Sequence, residues 1–184
     1  MVMGAEKSFG GIIITMRTES YQRVLAVEIR CHRAGYAILE GDPIRLTDYG
    51  IVSLTTPLSI LEWLKTIVTI YSPSVIVAKR PRHRNKEYTR GMNTVLFTIQ
   101  AEAFRQSTPI ETIPVDTIKC CFRDSCKTKE DIAATIAKTF HELQWKLPPM
   151  RKPWTSEGHN MAIFDAVATG LAYLTRFDEP TGSP

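Results

Sequence analysis

Apolar and polar positions along this chain change period in a definite order. Residues 22–30, 34–41 and 44–54 are rich in Val, Ile, Leu and Tyr and read as three consecutive strands. Arg33-Ala34-Gly35 and Gly41-Asp42-Pro43 punctuate them, and such short turns predict an antiparallel meander. Pro57 then opens a helical pattern with Leu58, Leu61, Leu64, Ile67 and Val68 on one face, which Ser72-Pro73 stops. Ser74-Val75-Ile76-Val77-Ala78 is a continuous apolar run, as expected of a strand covered on both faces.

In the second half, residues 89–106 read as a long helix with Val95, Leu96, Ile99 and Phe104 turned inward. A short strand at 109–113 and a brief helix at 115–122 follow. Thr128-Lys129-Glu130-Asp131 has the form of a capped helix start, with acids near the positive helix end, and the expected helix runs to Leu147-Pro148-Pro149. A last helix from near Ser156 carries Phe164, Val167, Ala168, Leu171 and Leu174 at core spacing. Three antiparallel strands followed by strand–helix alternation predict an α/β fold, a mixed five-stranded sheet with helices on both faces. That order resembles the ribonuclease H-like fold.

Length and composition agree with one domain: 184 residues, 43% hydrophobic and 23% charged, can bury a single good core. The expected division is an N-terminal extension at 1–19, a domain at 20–177 and a flexible tail at 178–184. No apolar run reaches the roughly 18 residues of a membrane span, and the N-terminus lacks a signal-peptide pattern, so a cytoplasmic protein is expected. Cys31, Cys120, Cys121 and Cys126 lack the spacing of a zinc site and read as buried, reduced thiols.

Net charge is a modest +4, but Lys79, Arg80, Arg82, Arg84, Lys86 and Arg90 crowd one segment in which Glu87 is the only acid. Such density is either a solvated loop or the footprint of a polyanion.

One acid breaks the pattern. Glu28 lies near the end of the apolar run Val24-Leu25-Ala26-Val27-Glu28-Ile29, where a carboxylate costs several kcal/mol unless it is paired, hydrogen-bonded or metal-bound. A site is expected around it.

Four segments, in order, carry a narrower resemblance that spans residues 22 to 174. Leu25-Ala26-Val27-Glu28 with Ala34-Gly35-Tyr36-Ala37-Ile38 resembles the opening strand, acid and Gly-Tyr hairpin of RuvC-type Holliday-junction resolvases. Pro109 through Val115-Asp116-Thr117-Ile118-Lys119 is similar to their fifth strand and following Pro-x-x-Val/Ile-Lys element. Lys129-Glu130-Asp131-Ile132 resembles the start of the next helix, and Phe164-Asp165-Ala166-Val167-Ala168 the Asp-Ala-x-Ala motif of the last one.

The resemblance implies two-metal phosphodiester hydrolysis, in which carboxylates hold two Mg2+ ions about 3.5–4 Å apart. The four ligand positions of the family fall on Glu28, Lys79, Ala162 and Asp165. Only Glu28 and Asp165 remain acidic. Lys79 swings the local charge by two units, and Ala162 offers no ligand. Glu157, His159 and Asn160 are nearby candidates to compensate, but on a helix Asp165 shares its face with positions 161 and 162, not with 159 or 160. The expectation is a degenerate catalytic site with no metal, or with Mg2+ or Mn2+ on Glu28 and Asp165 if activity survives. Lys79 either bridges the two acids in place of metal or swings out to the basic loop.

The nucleic-acid-binding positions implied are Lys119 and Lys129, with Arg30, His32 and Arg33 at the site mouth and Lys79, Arg80, Arg82, Arg84 and Lys86 beside them. Trp154 either stacks on a base or caps the core.

Three function classes follow. The first is a protein that binds branched or structured DNA or RNA, with nuclease activity lost or strongly reduced. The second is a divergent metal-dependent endodeoxyribonuclease, and the third a fold-only protein with a peptide partner. Relatives form homodimers through helices beside the sheet, which makes the helix at 89–106 the matching element; its Phe97 and Phe104 serve either as an apolar seam or as core.

Overall fold

Strand β1 (Arg23–Ile29) is the buried centre of the molecule, and its alternation sorts the layers. Leu25, Val27 and Ile29 face one helical layer, whereas Val24 and, two pleats on, Glu28 face the other. A computed structural model describes residues 22–30, 32–80, 86–122, 126, 128–149 and 157–175.

Around β1 the sheet adds β2 (Arg33–Glu40), β3 (Arg45–Ser53), β4 (Val75–Lys79) and β5 (Ile110–Ile113) in the order β3-β2-β1-β4-β5. The first three strands pair antiparallel as the short turns predict, while β4 runs parallel to both β1 and β5. Among the described residues five α-helices cover it: α1 (Pro57–Tyr71), α2 (Lys86–Arg105), α3 (Val115–Cys121), α4 (Lys129–Thr139) and α5 (Met161–Thr175). One face packs against α1 and α2 through Ile60, Leu64, Ile67, Val95 and Ile99; the other packs against α3, α4 and α5. Full burial of a side chain such as Phe164 or Leu25 contributes about 1.5–3 kcal/mol each. The result is the ribonuclease H-like, mixed five-stranded α/β arrangement.

Local chemistry sets the helix ends. Thr56 caps α1 by accepting from the Ser59 amide at 3.1 Å, with Pro57 at the first helical position, and Ser72 closes it in the left-handed conformation. Thr128 caps α4 in the same way, its hydroxyl accepting from the Asp131 amide while the Asp131 carboxylate accepts from the Thr128 amide.

Several expectations need correction. The pattern from 128 to 147 is not one helix: α4 stops at Thr139, Phe140 takes an extended conformation and is buried, and a 3-10 helix continues over His141–Lys146. The last helix begins at Met161, not near Ser156; residues 157 and 158 are irregular and a turn at 159–160 leads into it. Phe104 points outward, 87% exposed, because α1 packs on the opposite side of α2. Leu58 is likewise exposed, and the buried stripe of α1 is Ile60, Leu64 and Ile67. Cys120 and Cys121 are reduced but exposed, and Cys126 is only partly buried. The extension at 1–19, the tail at 178–184, Cys31, Arg82, Arg84 and Trp154 lie outside the described residues.

Candidate functional site

Parallel pairing of β1 and β4 brings their carboxyl ends side by side, with Val27 opposite Ala78. The next residues, Glu28 and Lys79, therefore project together toward the α5 layer. Glu28 pairs with Gly35 across β2, and α5 comes down on that glycine so closely that an added Cβ would meet the Ala162 carbonyl oxygen at 2.1 Å. Only glycine admits this approach. It sets Asp165, one turn further along α5, over the ends of β1 and β4.

Six charged groups meet there. Lys79 Nζ donates to Glu28 Oε1 at 2.6 Å and lies 3.6 Å from Asp165 Oδ2. The same Asp165 oxygen accepts from Arg30 Nη2 at 2.9 Å and from Lys129 Nζ at 3.0 Å. Glu157, in the irregular segment before α5, joins the two remaining cations: Oε2 accepts from Arg30 Nη1 at 2.8 Å and Oε1 from Lys129 Nζ at 2.9 Å. Among the described residues three carboxylates face three cations, so this set is formally neutral. Side-chain exposure falls from half for Lys129 to 7% for Glu28, which makes Glu28 the floor and Lys129 the mouth.

Protonation follows this gradient. Burial raises the Glu28 pKa, Lys79 opposes the shift and the Asp165 charge adds to it. Its second oxygen, Oε2, is buried with no hydrogen-bond partner among the described residues. Burial pushes the Glu157 carboxyl up as well, but hydrogen bonds from Arg30 and Lys129 outweigh it and hold it down to about 2. Lys129 moves the other way from burial: carboxylate partners raise its pKa.

The positions expected from the sequence separate into two groups. Glu28, Lys79 and Asp165 come together, with Lys79 on the acids and not swung out to the basic loop, and Ala162 is buried under Gly35 with no oxygen to offer on its side chain. Arg30 and Lys129, expected to meet phosphates at the mouth, turn inward onto carboxylates. Arg33 lies at the rim with its Nη1 3.0 Å from His159 Nδ1; His32, Arg80 and Lys119 are exposed. Lys86 begins α2. Glu157, one of the nearby residues the sequence offered as compensating groups, joins the cluster from outside the helix, four residues before Met161.

Divalent metal does not fit this donor set. A pair of Mg2+ ions requires surplus negative charge and oxygen ligands, whereas here every carboxylate in the cluster is neutralised and an ammonium lies between Glu28 and Asp165. Among the described residues no group of three His, Cys, Asp or Glu side chains is arranged to hold a metal ion.

Among solved structures, this architecture is similar in fold to several Holliday-junction resolvases. RuvC from Thermus thermophilus in complex with a Holliday junction substrate superposes with a TM-score of 0.66 at 15% identity, over 89% of this chain and 99% of that one. The yeast mitochondrial Holliday junction resolvase gives 0.60 at 12% identity, over 83% and 78%. The fowlpox virus resolvase bound to Holliday junction DNA gives 0.54 at 14% identity, over 83% and 99%. At such identities the likeness is one of fold, the RuvC-like branch of the ribonuclease H-like fold. No protein-family model and no curated protein sequence matches the chain.

Proposed function

We propose that this protein binds branched or structured nucleic acid, DNA before RNA, through the resolvase fold, and that its metal-dependent nuclease activity is lost or strongly reduced. The observation that carries the reading is Lys79 between Glu28 and Asp165, an ammonium where the resolvase resemblance implies a dication. A cation held between two carboxylates satisfies both without metal. Arg33, Arg80 and Lys119 lie at or near the surface and are the cations proposed to meet phosphate, whereas Arg30 and Lys129 are held by Glu157 and Asp165. A role in DNA recombination or repair as a recruiting or architectural subunit follows from that chemistry. The absence of any membrane-crossing helix among the described residues is compatible with the cytoplasm.

Phe97 and Phe104, seven residues apart on α2 and 71% and 87% exposed, form the seam of a homodimer in this reading.

A second reading rests on the unpartnered Glu28 Oε2: a divergent endodeoxyribonuclease using Glu28 and Asp165 with Mg2+ or Mn2+. Binding and cleavage of a synthetic four-way junction and its matched linear duplex separates the two. Junction binding in EDTA with no strand cleavage in Mg2+ or Mn2+ supports the first. Cleavage that Asp165→Asn abolishes supports the second.

A further inference from the structure

Beside the ion-pair cluster, between α3, α4 and α5, lies a cavity of about 390 Å3 that borders the charge network at Lys79, Lys129 and Asp165. Its size is that of a small-molecule site. The inner wall is apolar, with Ile118, Ile132 and Phe164, while Lys79, Lys119 and Lys129 stand on its lining. Asp116 and Thr128 add a carboxylate and a hydroxyl. An apolar slot with a few polar groups and ammonium groups beside it suits a ligand made of a flat, largely apolar ring with a hydrogen-bonding edge and an anionic arm. That is the chemistry of a nucleotide.

Position argues for a nucleotide within a strand. The cavity shares Lys79, Lys129 and Asp165 with the site over which the backbone is proposed to pass. Lys119 is exposed and makes no ion pair among the described residues, so its charge is available to a phosphate. We propose that this cavity receives one unpaired base of a bound strand, whose flanking phosphate lies on Lys119. The proposal rests on the nucleic-acid reading above and specifies which feature of the substrate is recognised. Extruding a base costs least where it is already unpaired, so a bulged or branched strand is preferred over a paired one.

Cysteines supply the test. Cys120 and Cys126 line the cavity and Cys121 does not, and none of the three is in a disulfide. Iodoacetamide labelling of the full chain, read peptide by peptide by mass spectrometry, is compared with no ligand, with a duplex carrying a one-nucleotide bulge, with the same duplex fully paired, and with AMP. Affinities for both duplexes and for a four-way junction are measured in parallel by fluorescence anisotropy.

The expected result is about tenfold tighter binding of the bulged duplex, the scale of one stacked base, with labelling slowed at Cys120 and Cys126 but not at Cys121. Cys126→Trp fills the slot and is expected to abolish that preference while paired duplex still binds, with a melting curve confirming that the variant is folded. Equal affinity for both duplexes without protection overturns the cavity assignment and leaves nucleic-acid binding intact. Failure to bind either duplex or the junction overturns both. Protection by AMP where the bulged duplex gives none overturns the strand and assigns the slot to a free nucleotide.

Discussion

Lys79 Nζ lies 2.6 Å from Glu28 Oε1, at the carboxyl ends of two adjacent parallel strands. Removing one partner of such a buried pair leaves the other charge without compensation. Lys79→Met is expected to destabilise the protein by about 3 kcal/mol, at the low end of the range for buried pairs because Arg30 remains near Glu28. Glu28→Gln together with Lys79→Met costs less than the sum of the two single changes. Urea denaturation of the four proteins measures the coupling; strict additivity contradicts it.

Lys79→Glu replaces the bridging cation with an acid. The variant then holds surplus negative charge among Glu28, Asp165 and the new carboxylate, which repel one another unless a dication joins them. Its melting temperature is expected to fall below that of the parent and to rise again with millimolar Mn2+, while the parent does not respond. Equal responses of the two proteins contradict the assignment of Lys79 to the metal position.

The close approach of Gly35 to Ala162 holds α5, and with it Asp165, against the sheet. Gly35→Ala forces the helix and β2 apart, because the clash is with backbone and not with a flexible side-chain end. Overpacking of this kind costs about 1–3 kcal/mol. Denaturant midpoints check it, and an unchanged midpoint contradicts the observed packing.

Glu157 and Glu28 act on pH stability with opposite sign. Glu157, held down to about 2 in the folded protein, contributes stability that is complete above its ordinary value of 4.5 and is lost as the pH falls toward 2. Glu28, raised above 4.5 chiefly by burial, costs stability as the pH climbs from that value through its folded pKa. Glu157→Gln is expected to flatten the acid limb of the stability profile, and Glu28→Gln the decline above 4.5. Chemical denaturation at a series of pH values distinguishes the two slopes.

Most of the fold was legible in the sequence because its signals are local. Strand-length apolar runs, Pro57 and the Thr128–Asp131 cap mark β1 to β4 and the starts of α1 and α4 where the structure has them. What failed depends on contacts between distant segments. Phe104 is the exception: it is five residues from Ile99 and nine from Val95, on the far arc of a helix of 3.6 residues per turn, so its outward side follows from the spacing itself. The break at Phe140 follows from burial of its ring against the α4 and α5 layer, which no Gly or Pro announces. In the site, Glu28, Lys79 and Asp165 were readable from strand ends and a helix motif. The inward turn of Arg30 and Lys129 was not, because it depends on Glu157, which is 127 residues from Arg30 in the chain.

An anomalous-difference map of crystals soaked in Mn2+ tests most directly whether a lysine-centred cluster stands where the resolvase resemblance implies metal. The account predicts no Mn2+ peak between Glu28 and Asp165, with Lys79 density joining the two carboxylates. A strong peak there, with Lys79 displaced toward solvent, would contradict it.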